Sequence, residues 1–313
     1  MTTVYQDHDR WFKELLGTFF EEFFAAFFPH VSEAVDFEAT TFLSEELFTD
    51  ILEGEKRRVD LLAKVRLRQD EAIVIIHVEP QSYKQEAFNE RMFVYFSRLY
   101  EKHRKPILPV AVFSYDENYE ERDTFEVIFP FKEVLRFAFD KLELRKLNWR
   151  DYLKAPNPAA AALLSKMNYS KAERVQVKKE FLRMLVKMEL DDARMTLITG
   201  FFERYLKLNP QEETELQTEI TTLPEEEEEA VMKIETSWHK KGREEGIQEG
   251  RQEGRQEGRQ EGLREGLQEG KQEGLREGIQ AVARKMLQEG FVVEQIMKIT
   301  DLSEEEIEKL KEE

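Results

Sequence analysis

The chain has 313 residues, of which 41% are hydrophobic and 23 are phenylalanines, so it can fill one large or two modest cores. It contains no cysteine, which excludes disulfides and thiolate metal sites and predicts a reducing, cytoplasmic location. The sequence has no apolar run of about 18 residues, and its first ten residues, MTTVYQDHDR, lack the order of a signal peptide. These features predict a soluble protein without membrane segments.

The net charge of -18 is unevenly distributed along the chain. From Pro210 onward there are 15 Lys and Arg against 29 Asp and Glu, which leaves 32 against 36 for residues 1–209. The acidity therefore belongs to the C-terminal part. A basic groove for nucleic acid is still allowed in the first 209 residues.

Hydrophobic periodicity predicts the secondary structure. Apolar residues at helical spacing over residues 8–28, ending at Pro29, predict a buried helix. A strand is predicted next, over residues 35–43, and then two strands separated by the sequence RQDE, over 57–67 and 72–81. An amphipathic helix over 85–104 and two more strands over 107–115 and 124–130 follow. From Asn157-Pro158, a helix start, the chain is predicted to be helical to about Leu208.

This order of elements predicts an α/β or α+β domain that ends in a helical subdomain and is followed by an elongated C-terminal tail. The prolines and the glutamate run after residue 208 are typical of a solvated linker. The predicted divisions are a core, a helical subdomain, an acidic linker, a Glu-Gly tetrad repeat and a small helical module, over residues 1–155, 156–208, 209–240, 241–280 and 281–313.

The two strands around RQDE predict a hairpin with a defined register. If Gln69-Asp70 is the two-residue loop, the numbers of paired residues sum to 139, and one face of the hairpin is wholly apolar. In the same register Asp60 stands directly opposite Glu79, and Gln81 lies on the same side. The register that the apolar face selects therefore brings two carboxylates together.

Two opposed carboxylates repel each other where water is partly excluded, so a cation is expected between them. Oxygen ligands without a histidine or cysteine partner favour Mg²⁺ or Mn²⁺. The open alternative is that Asp60 and Glu79 are the solvated end of an ordinary hairpin.

Several short motifs, taken in their order and spacing, resemble a known family. Asp60 followed by Glu79-Pro80-Gln81 resembles the signature of the PD-(D/E)XK nuclease superfamily. The chain more narrowly resembles the Rpn family of recombination-promoting nucleases and transposases, over roughly residues 8–200. The motifs that carry this resemblance are His8-Asp9, Phe12-Lys13, Val59-Asp60-Leu61-Leu62, Glu79-Pro80-Gln81-Ser82 and Arg91-Met92.

The resemblance implies a metal-dependent DNA endonuclease with a recombination-promoting or transposase-like role. It also implies an α/β fold with a PD-(D/E)XK-like core, in which a mixed sheet is flanked by helices. Asp60 and Glu79 would bind the metal, and the backbone carbonyl of Pro80 would complete the coordination. Gln81 departs from the superfamily's lysine, because its amide can orient water or donate to phosphate but adds no positive charge. The resemblance also implies an acid on the first helix, for which the candidates are Glu14, Glu21 and Glu22.

Two alternatives to an endonuclease stay open. One is a non-catalytic DNA-binding protein that keeps the fold, and the other is a self-assembling scaffold whose role lies in the tail. A basic stripe along the helix after the strand pair favours DNA binding by the core, although an ordinary solvated helix face would have the same composition. The residues of this stripe are Lys84, Arg91, Arg98, Lys102 and Lys105.

Ten glycines lie four residues apart from Gly242 to Gly278, and glutamate precedes nine of them. A glycine inside a helix costs about 1 kcal/mol relative to alanine, so ten cost on the order of 10 kcal/mol. The same spacing lets two helix backbones approach closely. The repeat is therefore either a weakly helical segment that forms a homo-oligomer or a flexible linker.

The last segment, residues 281–310, predicts two or three short helices, with Gly290 at a helix end and Ser303 as an N-cap. These helices resemble a helix-turn-helix in outline. The helix that would read DNA, SEEEIEKLKEE, is strongly acidic and would be repelled by phosphate. Contact with protein is therefore expected of this module.

Overall fold

A computed structural model describes residues 2–43, 47–49, 56–58, 61–68, 73–81, 87–115 and 120–312. It describes only the backbone of residues 2–7, 9, 47–49, 56–58, 73–81, 237–250, 252–253, 256–257 and 312. The described chain forms two compact units, Met1–Thr236 and Ser237–Glu313. None of the described helices is long and apolar enough to cross a membrane.

The described helices and strands follow one another in a mixed order. The helices α1 to α11 are Thr2–Thr18, Phe20–Phe27, Pro29–Ala34, Phe88–His103, Pro158–Leu163, Arg174–Val186, Asp192–Tyr205, Pro210–Ile220, Glu225–Gln288, Val293–Thr300 and Glu304–Glu312. The strands β1 to β9 are Val35–Phe42, Leu47–Thr49, Lys56–Arg58, Leu61–Leu67, Ile73–Gln81, Ile107–Phe113, Thr124–Phe129, Lys132–Ala138 and Asp140–Glu143. Short 3-10 helices span Leu144–Lys146, Trp149–Tyr152, Leu164–Lys166 and Lys171–Glu173.

A five-stranded mixed sheet lies at the centre of the first unit, in the order β1-β4-β5-β6-β9. The β1–β4 and β4–β5 pairs are antiparallel, whereas β5–β6 and β6–β9 are parallel. The parallel pair follows from α4, which carries the chain from the end of β5 back to the start of β6. The α/β fold class is therefore confirmed.

The predicted hairpin register is the one found between β4 and β5. The pairs run from Leu61 with Val78 to Arg66 with Ile73, and each pair of residue numbers sums to 139. Leu61, Ala63 and Val65 are buried, as expected of the apolar face. The predicted loop, residues 69–70, lies outside the described residues, and the predicted strand 57–67 is divided into β3 and β4.

Helices cover both faces of the sheet. On one face α1 packs against β4 and β5, and a Cβ placed on Gly17 would lie 3.8 Å from Cδ1 of Leu61. On the other face Leu62 packs with Tyr95 and Leu99 of α4. Burial on both faces explains why β4 is rich in Leu and Val.

The predicted first helix, residues 8–28, is interrupted in the structure. It consists of α1 and α2, which are separated at Phe19, and α2 buries three of its phenylalanines, Phe20, Phe23 and Phe24. Three described strands were not predicted, namely β2, β8 and β9. Strand β8 pairs with β7 in a hairpin that packs on α4 through stacked rings of Phe93 and Phe125, whose centroids are 5.2 Å apart.

The helical subdomain differs from the prediction at its C-terminal boundary. Asn157 caps α5 as expected, and its side chain accepts a hydrogen bond from the backbone N–H of Ala160. The segment predicted as an acidic linker, residues 209–240, instead contains α8 and the beginning of α9. A capping box at Asn209 and Glu212 starts α8, and this helix packs against α6.

Ion pairs explain why the acidic segment is helical. Lys178 of α6 is only 2% exposed, and its ammonium lies 2.9 Å from Glu203 and 3.1 Å from Glu213. Burial by itself lowers the pKa of Lys178, but the two carboxylates outweigh burial and raise it. Glu213, which was expected to be solvated, thus joins Glu203 in neutralising a buried cation.

The contact between α6 and α9 predicts a loss of stability in acid. Arg183 donates to both carboxylate oxygens of Glu227, at 2.8 and 3.2 Å, and this lowers the pKa of Glu227. A lowered folded-state pKa contributes stability that is present above the ordinary pKa of glutamate and is lost as the pH falls through the folded value. We expect the melting temperature, followed by circular dichroism, to fall between pH 5 and 3 by more in the wild type than in Glu227→Gln. Equal decreases in both proteins would contradict this contribution.

In the second unit α9 continues as one helix to Gln288, through the glycine repeat. A Cβ placed on any of seven of these glycines would have no neighbouring atom within 4 Å, namely Gly254, Gly258, Gly262, Gly266, Gly270, Gly274 and Gly278. The structure therefore gives the repeat the helical conformation, one of the two that the sequence left open.

The C-terminal module consists of the end of α9 with α10 and α11. Its small core contains Ala283, Ile296, Leu302 and Ile307. Gly290 has a φ of 85° just after α9, and the hydroxyl of Ser303 accepts a hydrogen bond from the backbone N–H of Glu306. Both predicted helix boundaries are confirmed.

Candidate active site

The carboxyl ends of β5 and β6 lie side by side at one edge of the sheet. Glu79 pairs with Ala111, Pro80 with Val112, and Gln81 with Phe113. We call residues 79–81 of β5 and 111–115 of β6 and its continuation the carboxyl edge. Functional side chains commonly lie at the carboxyl ends of parallel strands, because the strands are rigid there and the edge is open.

The structure describes only part of the predicted metal site. Asp60 lies outside the described residues, and of Glu79, Pro80 and Gln81 the backbone is described. Among the side chains that are described, no group of three or more His, Cys, Asp or Glu could hold a metal ion. The predicted donors are two carboxylates and a backbone carbonyl, a set of oxygens that fits Mg²⁺ or Mn²⁺.

A buried polar cluster follows β6 at the carboxyl edge. The hydroxyl of Tyr115 donates to Glu121 at 2.6 Å, and both residues are 8% exposed. Burial raises the pKa of Tyr115, and the hydrogen bond to Glu121 raises it further. Lys141 donates to the backbone carbonyl of Glu121 at 2.6 Å and lies 3.6 Å from Glu143. Tyr115 therefore stays neutral, and the cluster links Tyr115 through Glu121 to Lys141 of β9.

Arg91 is the predicted DNA-binding residue that the fold brings to the carboxyl edge. Its guanidinium carbon lies 4.9 Å from the ring centroid of Phe88, and that ring lies 5.0 Å from the ring of Phe113. The positive charge of Arg91 also acts on Tyr115, whose pKa it lowers slightly against the larger opposing effects. A half-buried guanidinium beside this edge can neutralise a phosphate.

The rest of the predicted stripe extends away from that edge. Arg98 is about 10 Å and Lys102 about 16 Å further along the axis of α4 from Arg91. The end of α4 lies near the start of β6, since Leu99 packs in one cluster with Ile107. Lys84 lies outside the described residues. The fold therefore separates Lys102 from the candidate site, although it leaves Lys102 exposed.

The candidates for an acid on the first helix occupy different environments. Glu14 on α1 and Glu21 on α2 are exposed, and Glu22 is half-buried. The backbone carbonyl of Glu22 accepts a hydrogen bond from Asn157 at 2.9 Å. Glu22 thus lies where α2 meets α5, and the described contacts do not connect any of the three acids with the carboxyl edge.

A second polar group, which was not predicted from the sequence, lies beside the edge. His8, which is 8% exposed, lies within hydrogen-bond distance of Ser114, at 3.0 Å from Nε2, and of Tyr205, at 2.7 Å from Nδ1. These partners are 106 and 197 residues away in the chain. His8 could be singled out only by its place in the N-terminal motif, and no local pattern points to its partners.

Comparison with protein families agrees with the fold and the motifs. The family model described as "Putative transposase, YhgA-like" matches residues 6–195. The model described as the C-terminal HTH domain of the Rpn/YhgA-like nuclease family matches residues 276–312, which confirms the helix-turn-helix outline. No curated protein and no solved structure matches the chain. Because the first model covers more than half of its length, the chain belongs to the YhgA-like transposase family, the Rpn/YhgA-like nucleases.

Proposed function

We propose that this protein is a metal-dependent DNA endonuclease that hydrolyses phosphodiester bonds at the carboxyl edge. The observation that carries the proposal is the register of β4 and β5. The described pairing ends with Leu61 and Val78, and the proposal extends it by one residue, which would set Asp60 opposite Glu79. The family assignment supports a nuclease or transposase-like role on DNA.

In this proposal Asp60, Glu79 and the carbonyl of Pro80 hold Mg²⁺ or Mn²⁺. When bound, such an ion lowers the pKa of a water molecule and stabilises negative charge on the scissile phosphate. The amide of Gln81 orients the water or donates to a phosphate oxygen. Arg91 contributes the positive charge that a lysine at position 81 would otherwise supply.

The proposal assigns DNA binding to the core rather than to the C-terminal module. Residues 276–312 contain six Lys and Arg against nine Asp and Glu, and phosphate repels a surface of this charge. The module and the repeat are proposed to bind protein, including a second copy of the chain. A cysteine-free chain of this kind is suited to the cytoplasm.

The test is nicking of supercoiled plasmid DNA by the full chain, with Mg²⁺, Mn²⁺ or EDTA. We expect nicked product with either metal, none in EDTA, and loss of the product in Asp60→Asn. The matched control is Glu38→Gln, which removes one negative charge from an exposed position of β1 in the same sheet. This control should cut like the wild type.

DNA binding without cleavage in any metal would overturn the endonuclease proposal and support the non-catalytic DNA-binding protein. If the protein neither cuts nor binds DNA and deletion of residues 230–313 abolishes its assembly, the self-assembling scaffold is favoured. Cleavage that survives Asp60→Asn would show that the metal site lies elsewhere.

A further inference from the structure

We propose that His8 is a positioning residue for DNA hydrolysis, acting through a buried hydrogen-bond chain with Tyr205 and Ser114 that holds the carboxyl edge in its working geometry. This inference rests on the proposed nuclease function and deepens it. It concerns residues that the metal-site signature does not include.

The chain of hydrogen bonds joins three elements that are far apart in sequence. His8 belongs to α1, Tyr205 is the last residue of α7, and Ser114 directly follows β6. The ring of His8 packs on Phe12, with centroids 4.7 Å apart, and at 5.5 Å from the ring of Tyr205. These aromatic contacts hold the imidazole so that each ring nitrogen faces a hydroxyl.

A neutral imidazole fixes which groups donate and which accept along the hydrogen-bond chain. A neutral imidazole donates from one ring nitrogen and accepts at the other, whereas each hydroxyl can do either. The orientation of the Tyr205 hydroxyl is therefore coupled through His8 to that of the Ser114 hydroxyl. An apolar side chain would fill the same volume but would leave the buried hydroxyl of Ser114, which is 1% exposed, without this bond.

A cation lies near the ring of Tyr205. The ammonium of Lys166 is 5.1 Å from the centroid of the tyrosine ring, and Lys166 is 7% exposed. A cation over the ring face stabilises the position of the ring. Lys166 therefore helps to fix Tyr205, the end of the hydrogen-bond chain that is furthest from β6.

The connection to the site passes through the backbone of β6. Ser114 follows Phe113, and Phe113 pairs with Gln81 at the end of β5. A shift of Ser114 would move this pair and with it the neighbouring Glu79 and Pro80. Misplacement of a catalytic group by about 1 Å can cost on the order of 100-fold in rate.

Single substitutions of His8 can break the hydrogen-bond chain on one side or the other. Glutamine places its amide roughly where Nε2 lies, so His8→Gln can keep the bond to Ser114. Asparagine corresponds to Nδ1, so His8→Asn can keep the bond to Tyr205 and lose the other. The matched control is Thr199→Val, which removes a hydroxyl that is also buried in α7 but bonds only within its own helix in the described contacts.

The experiment measures plasmid nicking, the melting temperature and Mn²⁺ affinity by electron paramagnetic resonance for the full-length variants. We expect His8→Asn and Ser114→Ala to lower kcat by about 30- to 100-fold, with KM for DNA within about twofold of the wild-type value. Their Mn²⁺ affinity should fall by about 10-fold, as for other groups that support metal ligands. His8→Gln should retain most of the activity, and Thr199→Val should retain it even if its melting temperature falls equally.

The proposal is overturned if the activity of all variants follows their melting temperature, or if His8→Asn and Ser114→Ala behave like the wild type. A wild-type protein that binds Mn²⁺ but does not cut DNA would overturn the proposed function alone. In that case the Mn²⁺ affinities still decide the positioning role, because equal affinities in all variants would overturn it. A wild-type protein that does not bind Mn²⁺ overturns both.

Discussion

Glu79→Gln is expected to lower the rate of Mg²⁺-dependent DNA cleavage on the order of 1000-fold. The substitution keeps the size and polarity of the side chain but removes the negative charge that binds the cation. A metal ion contributes several kcal/mol to stabilisation of the transition state, and each ~1.4 kcal/mol corresponds to a tenfold change in rate. Single-turnover nicking of plasmid DNA, with protein in excess, measures this rate without interference from product release.

Two comparisons separate this effect from general damage to the protein. DNA affinity in EDTA should be unchanged or slightly higher in Glu79→Gln, since one negative charge near the phosphates has been removed. Glu101→Gln, at an exposed position of α4, should cut at the wild-type rate. Gln81→Ala should lose less activity than Glu79→Gln, because the amide is proposed to orient water and not to bind the metal. Undiminished cleavage by Glu79→Gln would refute the metal site.

Replacing the seven described glycines of the repeat, Gly254 to Gly278 at every fourth position, by alanine is expected to stabilise the helical repeat strongly. Each replacement contributes about 0.8–1 kcal/mol of helix propensity, or roughly 6–7 kcal/mol for all seven. The added methyl groups meet no atom within 4 Å, so steric strain does not offset this gain. Thermal melting of the full chain, followed by circular dichroism at 222 nm, should show helix that persists to higher temperature.

The sign of the effect should reverse at one glycine outside the repeat. Gly290 has a φ of 85°, which alanine adopts only with strain, so Gly290→Ala should destabilise the C-terminal module by about 1 kcal/mol or more.

Sedimentation of the seven-alanine variant tests self-association as well. If copies associate along the glycine row, the methyl groups should prevent the close approach and lower the association constant. A repeat that becomes less helical with alanine would contradict the helical description.

Hydrophobic alternation was sufficient to predict the central hairpin. Leu61, Ala63 and Val65 must share a buried face, and a shift by one residue would expose all of them, so only one register agrees with the sequence. Strand β8 was missed because its charged residues interrupt the alternation, as in the sequence KEVLRFA. Helix α8 and the beginning of α9 were missed because the residues that neutralise their glutamates lie about 40 positions earlier, as with Lys178 and Arg183.

The acids and the glutamine of the candidate site stay predictions, because Asp60 and the side chains of Glu79 and Gln81 lie outside what the structure describes. The hairpin on which their placement depends is a local structure and could be predicted. The polar groups around them depend on tertiary contacts. Arg91 was predicted as one of several equivalent basic residues, and only the packing of Phe88 on Phe113 distinguishes it from Lys102. The partners of His8 come from β6 and α7, and no sequence pattern links these elements.

The buried ammonium of Lys178 has a consequence for chemical labelling. Acylating reagents attack lysine only when its amine is deprotonated and accessible, and Lys178 is 2% exposed with a raised pKa. It should therefore resist acetic anhydride for as long as α8 stays docked against α6. The rate of acetylation of Lys178, quantified by mass spectrometry, would therefore report how often the pair of α6 and α8 opens.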